Sequence, residues 1–422
     1  MNLDLPSTQE LLRLREPATY GDQDPMASPQ PGQSGGGELL EGPRGGALHL
    51  SSLLPALTAS LGHPVGTAVH RDPKALQEAL GLPSASSAIV VLVDGLGYWN
   101  LKARLGHAPY LRSLMSQEVN QRPIASCAPT TTVAAMGTFG TGTCPGLTGM
   151  TGYTQRNPKT GKLSQLIQFR SALKPLDLQQ QPTIFESLAG QEVRVTSSGL
   201  PKFADSPLTQ AALRGSDYIG EMAPGQRARN AAQAARVPGL TYLYIRDADK
   251  NGHAYGWQSD QWIAALESID SQLATLHRNA PAGCLIVITA DHGMISTDPN
   301  QRIDIAEEED LARGVALVGG EPRFTMLYAQ PDVEADDIAR RWREHLGTRA
   351  RVMTRQEALE LGLYGPVEER IIPMIGDVLV CAAEAVTIVD SRSQSAQATR
   401  LPSVHGSLTA AEQDIPCLID LI

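Results

Sequence analysis

The sequence predicts an α/β fold: a three-layer sandwich with helices on both faces of a mostly parallel sheet. Two observations carry this. Three apolar runs, SAIVVLVDG, TYLYIRDAD and CLIVITADHG, each end in an acid followed by loop residues. Runs that are β-branched and apolar on both faces suit central parallel strands. Helical patterns lie between them, and in SDQWIAALESIDSQLATLH the residues Ile263, Leu266, Ile269, Leu273 and Leu276 fall on one stripe. Strands alternating with helices give a covered parallel sheet, whose ligands gather at the carboxyl ends of the strands.

The elements follow in order. Residues 1–46 are rich in Gly and Pro and read as a flexible leader, with at most a helical turn at LLRLR. LSSLLPALTASLG reads as an amphipathic helix ending near Gly62, and residues 47–299 form the first part of the main α/β domain. Residues 300–375 differ in character: PRFTMLYAQ suits a strand, and DVEADDIARRWREHL and VMTRQEALELG suit helices. They form a small α+β insertion or lid. GDVLVCAAEAVTIVD is expected as a β-hairpin returning to the main sheet, so that residues 376–422 complete the main domain.

Charge and cysteine content narrow the setting. The 422 residues carry 45 acidic and 35 basic side chains, a formal charge of -10. Such a surface repels nucleic acid and anionic membranes. No apolar run is long enough for a membrane span, and the N-terminus lacks the basic and apolar regions of a secretory signal. Cys127, Cys144, Cys284, Cys381 and Cys417 are odd in number and unpaired in spacing, which points to a reducing cytoplasm.

Five places carry chemistry. Asp94 closes an apolar run ahead of two glycines; it is either a ligand-facing acid or a turn acid capping the next helix. Asp249 and His253 are four apart across Gly252, on what reads as a loop, with Asp247 a competitor. Carboxylate and imidazole at that spacing suit a divalent metal; the bland alternative is a polar turn. Asp291 and His292 are adjacent, and both reach one metal only if the strand has ended before them. His405 sits beside a glycine and alone reads as structural. Thr130, Thr131 and Thr132 precede VAAMGTF, so a hydroxyl there is a helix cap or a nucleophile at a helix N-terminus.

Taken together, three acids and three histidines after strands, with a hydroxyl at a helix start, match a two-metal hydrolase. The order Asp, Thr, Asp-x-x-Gly-His, Asp-His-Gly, His-Gly resembles the alkaline phosphatase superfamily, and is most similar to its nucleotide pyrophosphatase/phosphodiesterase branch, over about residues 48–422. The resemblance implies an alkaline phosphatase-like sandwich and two divalent ions, zinc in the family. One ion is assigned to Asp94, Asp291 and His292 with the nucleophile; the other to Asp249, His253 and His405. The family's nucleophile lies ten residues before the glycine of a Thr-Gly pair that precedes a proline. Thr141-Gly142 before Pro145 therefore selects Thr132, with Thr131 the runner-up one residue away.

The implied activity is hydrolysis of a phosphate diester or nucleotide pyrophosphate through a threonyl ester. The implied partner is a small phosphate ester or nucleotide, with no nucleic acid and no membrane; the oligomeric state stays open. A phosphomonoesterase, a phosphonate hydrolase and a metal-binding protein with a decayed centre are the alternatives. A sulfatase is disfavoured, because Cys127-Ala128-Pro129-Thr130-Thr131 has Thr where that branch needs Arg. The branch's phosphate-holding Asn has no counterpart in LTGMTGY, which offers Tyr153 or Thr151, and Tyr153 is the candidate substitute donor.

Overall fold

The computed structural model describes residues 5–21 and 44–422. In chain order its main strands are β1 (Ser87–Val93), β2 (Val195–Gly199), β3 (Asp217–Gly220), β4 (Gly239–Ile245), β5 (Leu285–Thr289), β6 (Val315–Glu321), β7 (Phe324–Ala329), β8 (Ala350–Thr354), β9 (Val378–Ala382) and β10 (Cys417–Leu421). The helices that position the site are α1 (Leu50–Ser60), α2 (Thr132–Thr141), α3 (Pro224–Ala234), α4 (Asp247–Tyr255), α5 (Asp260–Asn279) and α6 (Ala335–Leu346).

The main sheet has the order β10–β5–β1–β4–β2–β3. Its four pairings from β5 to β3 are all parallel, and β10 closes the other edge antiparallel to β5. Every residue of β1 is buried, as its unbroken apolar run requires. Val93 is in register with Ile245, and Leu92 with Thr289, so β4, β1 and β5 end side by side. That register brings the three acid-bearing loops to one edge of the sheet.

Local chemistry explains the helices. Ser259 caps α5 by accepting the Trp262 N–H at 3.2 Å, and Trp262, Leu266, Ile269, Leu273 and Leu276 are buried along it. Trp262 takes the place expected for Ile263, which is only half-buried. The larger ring removes more apolar surface from water, and each such side chain contributes about 1.5–3 kcal/mol. α1 was expected to be amphipathic, yet all its residues are buried, because α2 covers it as well.

The insertion is an antiparallel sheet in the order β6–β7–β9–β8. α6 packs Ile338, Ala339, Trp342 and Leu346 against Val378, Val380 and Ala382 of β9. β9 therefore does not return to the main sheet as the hairpin reading expected. Its alternate residues Leu379 and Cys381 are buried on the opposite face, so both faces are used within the insertion. The following segment Thr387–Val389 pairs with Arg302–Asp304, which carries the insertion to about residue 390 rather than 375. VMTRQEALELG is likewise divided: β8 runs to Thr354, whose capping box with Glu357 starts the helix Arg355–Glu360.

Part of the expected leader is structured. Residues Thr8–Leu11 form a short helix behind a Ser7–Glu10 capping box. The chain then docks on the C-terminal region: the Arg15 N–H donates to Leu408 O at 2.9 Å, and Arg15 and Arg44 both pair with Asp414. Residues 22–43 lie outside the described residues. No helix among the described residues is long and apolar enough to cross a membrane.

Candidate active site

β1 delivers Asp94, and Gly95 follows at φ +73°, where a Cβ would stand 2.8 Å from Asp249 Cα. Only glycine lets the two loops touch, and the Asp249 N–H donates to Asp94 O at 2.9 Å. After β4 the chain enters α4 directly, so Asp249 and His253 lie on a helix, not on the expected loop. Their four-residue spacing puts them on one face, with His253 Nε2 3.2 Å from Asp249 Oδ1. Asp247 starts the helix and joins no acid–imidazole cluster among the described residues.

β5 ends at Thr289, so Asp291 and His292 are free of strand alternation. Asp291 Oδ1 accepts from the N–H groups of Gly95 and His292, both at 3.0 Å. Its Oδ2 is 3.4 Å from His292 Nε2, which is itself 3.6 Å from Asp94 Oδ1. Thr132 Oγ1 stands 3.4 Å from Asp94 Oδ1 and 3.3 Å from His292 Nε2. Thr132 is the first residue of α2, while Thr131, at the cap position, makes no capping bond. His405 enters from the far end of the chain. The Thr130 hydroxyl and carbonyl hold its loop, accepting from Gly406 N at 3.0 Å and His405 Nδ1 at 2.7 Å.

The structure thus gathers two clusters: Asp94, Asp291 and His292, and Asp249, His253 and His405. In each, the donor atoms lie within 4.8 Å of one another. The His292 and His405 rings stack at 3.6 Å and join the two.

The hydrogen-bond pattern fixes what the clusters can hold. The Nδ1 atoms of His253, His292 and His405 face the carbonyls of Ser403 (2.8 Å), Gly293 (3.1 Å) and Thr130 (2.7 Å). A carbonyl only accepts, so each Nδ1 carries a proton, which leaves each Nε2 as the atom whose lone pair a metal ion would take. Those lone pairs face carboxylate oxygens. Asp249 Oδ1 and Asp291 Oδ2 are buried with no hydrogen-bond partner. Acceptors converging on acceptors suit a cation, and imidazoles held through Nδ1 are how proteins orient metal-binding histidines.

Without a cation the charges are in conflict. Burial, then the neighbouring Asp291 and Asp249, push the Asp94 carboxyl well above its ordinary value. Burial opposes the ionisation of Asp249 as well, but His253, then His405 and His292, together hold it below the carboxylate range. Burial, then His292 and His253, pull His405 well below the ordinary imidazole value.

Asp94, Thr132 and the Asp249–His253–His405 cluster line a cavity of about 930 Å³. Tyr153 lines it, but its hydroxyl accepts from Gln165 Nε2 at 2.7 Å and bonds none of the cluster residues or Thr132. Sequence reasoning missed several of its walls. The Tyr244 hydroxyl donates to Asp94 Oδ2; its place one residue before the end of β4 was a readable signal. Lys202, Arg246 and Lys250 also line the cavity, and none pairs through its side chain with a described acid. Arg246 follows the strand end and Lys250 neighbours Asp249, whereas nothing in the sequence marks Lys202. Glu321 arrives from the insertion.

The parallel sheet, with paired acid–imidazole clusters and a hydroxyl at its strand ends, is the architecture of the alkaline phosphatase superfamily. Residues 88–408 match the type I phosphodiesterase/nucleotide pyrophosphatase family, and the chain belongs to it. Among solved structures it is similar to murine ectonucleotide pyrophosphatase/phosphodiesterase 5, an inactive variant in complex with AMP. There the identity is 16%, the coverage 79% of this chain and 87% of that one, and the TM-score 0.63. It is also similar to phosphonoacetate hydrolase from Sinorhizobium meliloti 1021 in complex with phosphonoformate, at 20% identity, 80% and 91% coverage and a TM-score of 0.61. A phosphopentomutase of Rhizobium meliloti (strain 1021) is 31% identical over 127 residues, 30% of this chain. The chain spans only 29% of that relative's length.

Proposed function

We propose that this enzyme is a zinc-dependent hydrolase of phosphate esters, most simply a phosphodiesterase or nucleotide pyrophosphatase, working through a threonyl ester at Thr132. The observation that carries the reading is the position of Thr132 Oγ1, 3.4 Å from Asp94 and 3.3 Å from His292, beside orphaned oxygens of both clusters. Asp94, Asp291 and His292 would hold one divalent ion, and Asp249, His253 and His405 the other. Mixed carboxylate and imidazole donors favour zinc. Such ions supply charge neutralisation for the phosphoryl oxygens and lower the pKa of hydroxyls.

The chain's own groups do the rest. Thr132 Oγ1 attacks phosphorus in line, the bond to the leaving oxygen breaks, and the phosphoryl group is esterified on Thr132. The N-terminus of α2 favours the alkoxide and the anionic phosphoryl group. Tyr244 fixes Asp94 through Oδ2 and leaves Oδ1 facing the nucleophile. Water then cleaves the threonyl ester and the Thr132 hydroxyl is restored. Lys202, Arg246 and Lys250 attract the remote part of an anionic substrate, against the overall charge of -10. That cationic wall also favours the second reading, a hydrolase of phosphonates that carry another anionic group. Five free, buried cysteines support the cytoplasm as its compartment.

The test compares zinc-loaded wild type, Thr132→Ala and Thr131→Ala on a nucleoside nitrophenyl diester, a simple nitrophenyl diester and nitrophenyl phosphate. Activity on a diester, abolished by Thr132→Ala and kept by Thr131→Ala, supports the reading. No turnover of any substrate above the Thr132→Ala background contradicts it.

A further inference from the structure

Glu321 is 7% exposed, and neither carboxylate oxygen has a hydrogen-bond partner. Its neighbourhood shows that this is not a general property of buried acids here. Glu412, fully buried close by, is bonded by Arg323 Nε and Nη2 (3.1 and 2.8 Å), Ser407 N (2.9 Å) and the Thr409 hydroxyl (2.6 Å). The same Arg323 donates to the carbonyls of Ala383, Glu384 and Val386 within the insertion, so its pair with Glu412 ties the β6–β7 hairpin to the main domain. The fold thus spends a fully buried arginine two residues from Glu321 and leaves Glu321 unpaired. A buried polar group left this way points to a partner that arrives later.

Its position says which partner. Glu321 lies at the end of β6 and lines the same cavity as Thr132, Asp94, Asp249, His253 and His405. Gly406 has φ +140°, and a Cβ there would stand 2.7 Å from Glu321 Cγ, so this side chain runs against the backbone just after His405. Burial pushes the Glu321 carboxyl up to about 8, opposed by Thr131, which approaches it without a well-formed hydrogen bond, and by His253. Glu321 therefore belongs to the Asp249–His253–His405 side. Thr132 Oγ1 faces the other cluster, at Asp94 and His292. In an in-line displacement the nucleophile enters on one side and the leaving group departs on the other. The water that later cleaves the ester must enter where the leaving group left.

Resting on the threonyl-ester reading, we propose that Glu321 is a further catalytic residue that accepts a hydrogen bond from this hydrolytic water and orients it toward phosphorus. The insertion is then part of the active site, since it supplies the residue that governs the second half of the reaction.

The experiment uses the zinc-loaded full chain with bis(4-nitrophenyl) phosphate, in wild type, Glu321→Met, Glu321→Gln and Thr132→Ala. Three quantities are read: the nitrophenol burst in stopped flow, the steady-state rate, and the mass of acid-quenched protein. For Glu321→Met the burst rate stays within about twofold of wild type while the steady-state rate falls about tenfold or more, and the Thr132 adduct accumulates. Glu321→Gln, which keeps the shape and one acceptor, lies between the two and controls for packing. A burst and steady state that fall together would make Glu321 a leaving-group residue and overturn the proposal. So would a change confined to KM, a loss of bound zinc, or no change. If wild type turns over without any Thr132 adduct or burst, the threonyl-ester reading fails first. If wild type forms the adduct and Glu321→Met does not enrich it, only the Glu321 assignment fails.

Discussion

Asp291→Asn separates a carboxylate waiting for a cation from one that holds the fold together. Asp291 Oδ1 accepts two backbone N–H groups at 3.0 Å, and an asparagine Oδ1 can keep both. The substitution changes the other atom, Oδ2, which is buried without a hydrogen-bond partner 3.4 Å from His292 Nε2. Removing that unpaired charge relieves a buried polar penalty of about 1–3 kcal/mol, so the metal-free variant should be more stable than wild type. For a chain of 422 residues the usual unfolding entropy converts this to about 1 °C in Tm per kcal/mol. Zinc reverses the order. Held at about 1,000 times its dissociation constant, an ion at one site contributes about 4 kcal/mol to wild type. Breaking a buried charge partnership costs about 3–5 kcal/mol, which removes nearly all of that gain from the variant. Thermal melts with chelator and with zinc read both effects. A metal-free Asp291→Asn protein that melts below wild type would refute the reasoning, because the carboxylate would then be structural.

Other expectations follow from single contacts. Burial, then His70 and Arg44, hold the buried His49 imidazole down to about 3, against 6.5 ordinarily. The unfolded chain therefore binds the extra proton, and stability is full above about pH 6.5 and lost as pH falls toward 3. The loss between pH 7 and pH 4 is on the order of 3 kcal/mol. His49→Asn, which keeps an acceptor for the Ser51 N–H that His49 now caps, should flatten this slope in denaturant titrations at pH 7 and pH 4. Gly95→Ala places a methyl group 2.8 Å from Asp249 Cα at φ +73°, so a loss on the order of 2–4 kcal/mol is expected in urea melts, together with activity. Lys202→Met should raise KM about two- to fivefold for a substrate with a second anionic group, with kcat kept and the effect fading at high salt.

The strand ends were legible because burial on both faces leaves an unmistakable apolar run, and the parallel register then had to bring Asp94, Asp249 and Asp291 together. The helix carrying Asp249 and His253 was less legible: Gly252 and two nearby polar residues imitate a loop. The glycine is instead required there by packing, since a Cβ would stand 2.3 Å from Met294 Sδ. The sheet that receives β9 is not legible, because a strand buried on both faces reads alike in either sheet. Tyr153 stands in the stretch that corresponds to the family's Asn and carries a hydroxyl able to donate, but that hydroxyl accepts from Gln165. Glu321 and Lys202 reach the cavity through tertiary packing of distant segments, and no local pattern announces that.

The most direct test of the account is the site of covalent modification during turnover. Zinc-loaded protein is mixed with a nitrophenyl phosphodiester, quenched in acid and digested, and the peptide containing Thr130, Thr131 and Thr132 is sequenced by mass spectrometry. The account expects a substoichiometric phosphoester on Thr132 that disappears in Thr132→Ala and in chelator-treated protein. A phosphoester on Thr131, or turnover with no modified threonine, would contradict it.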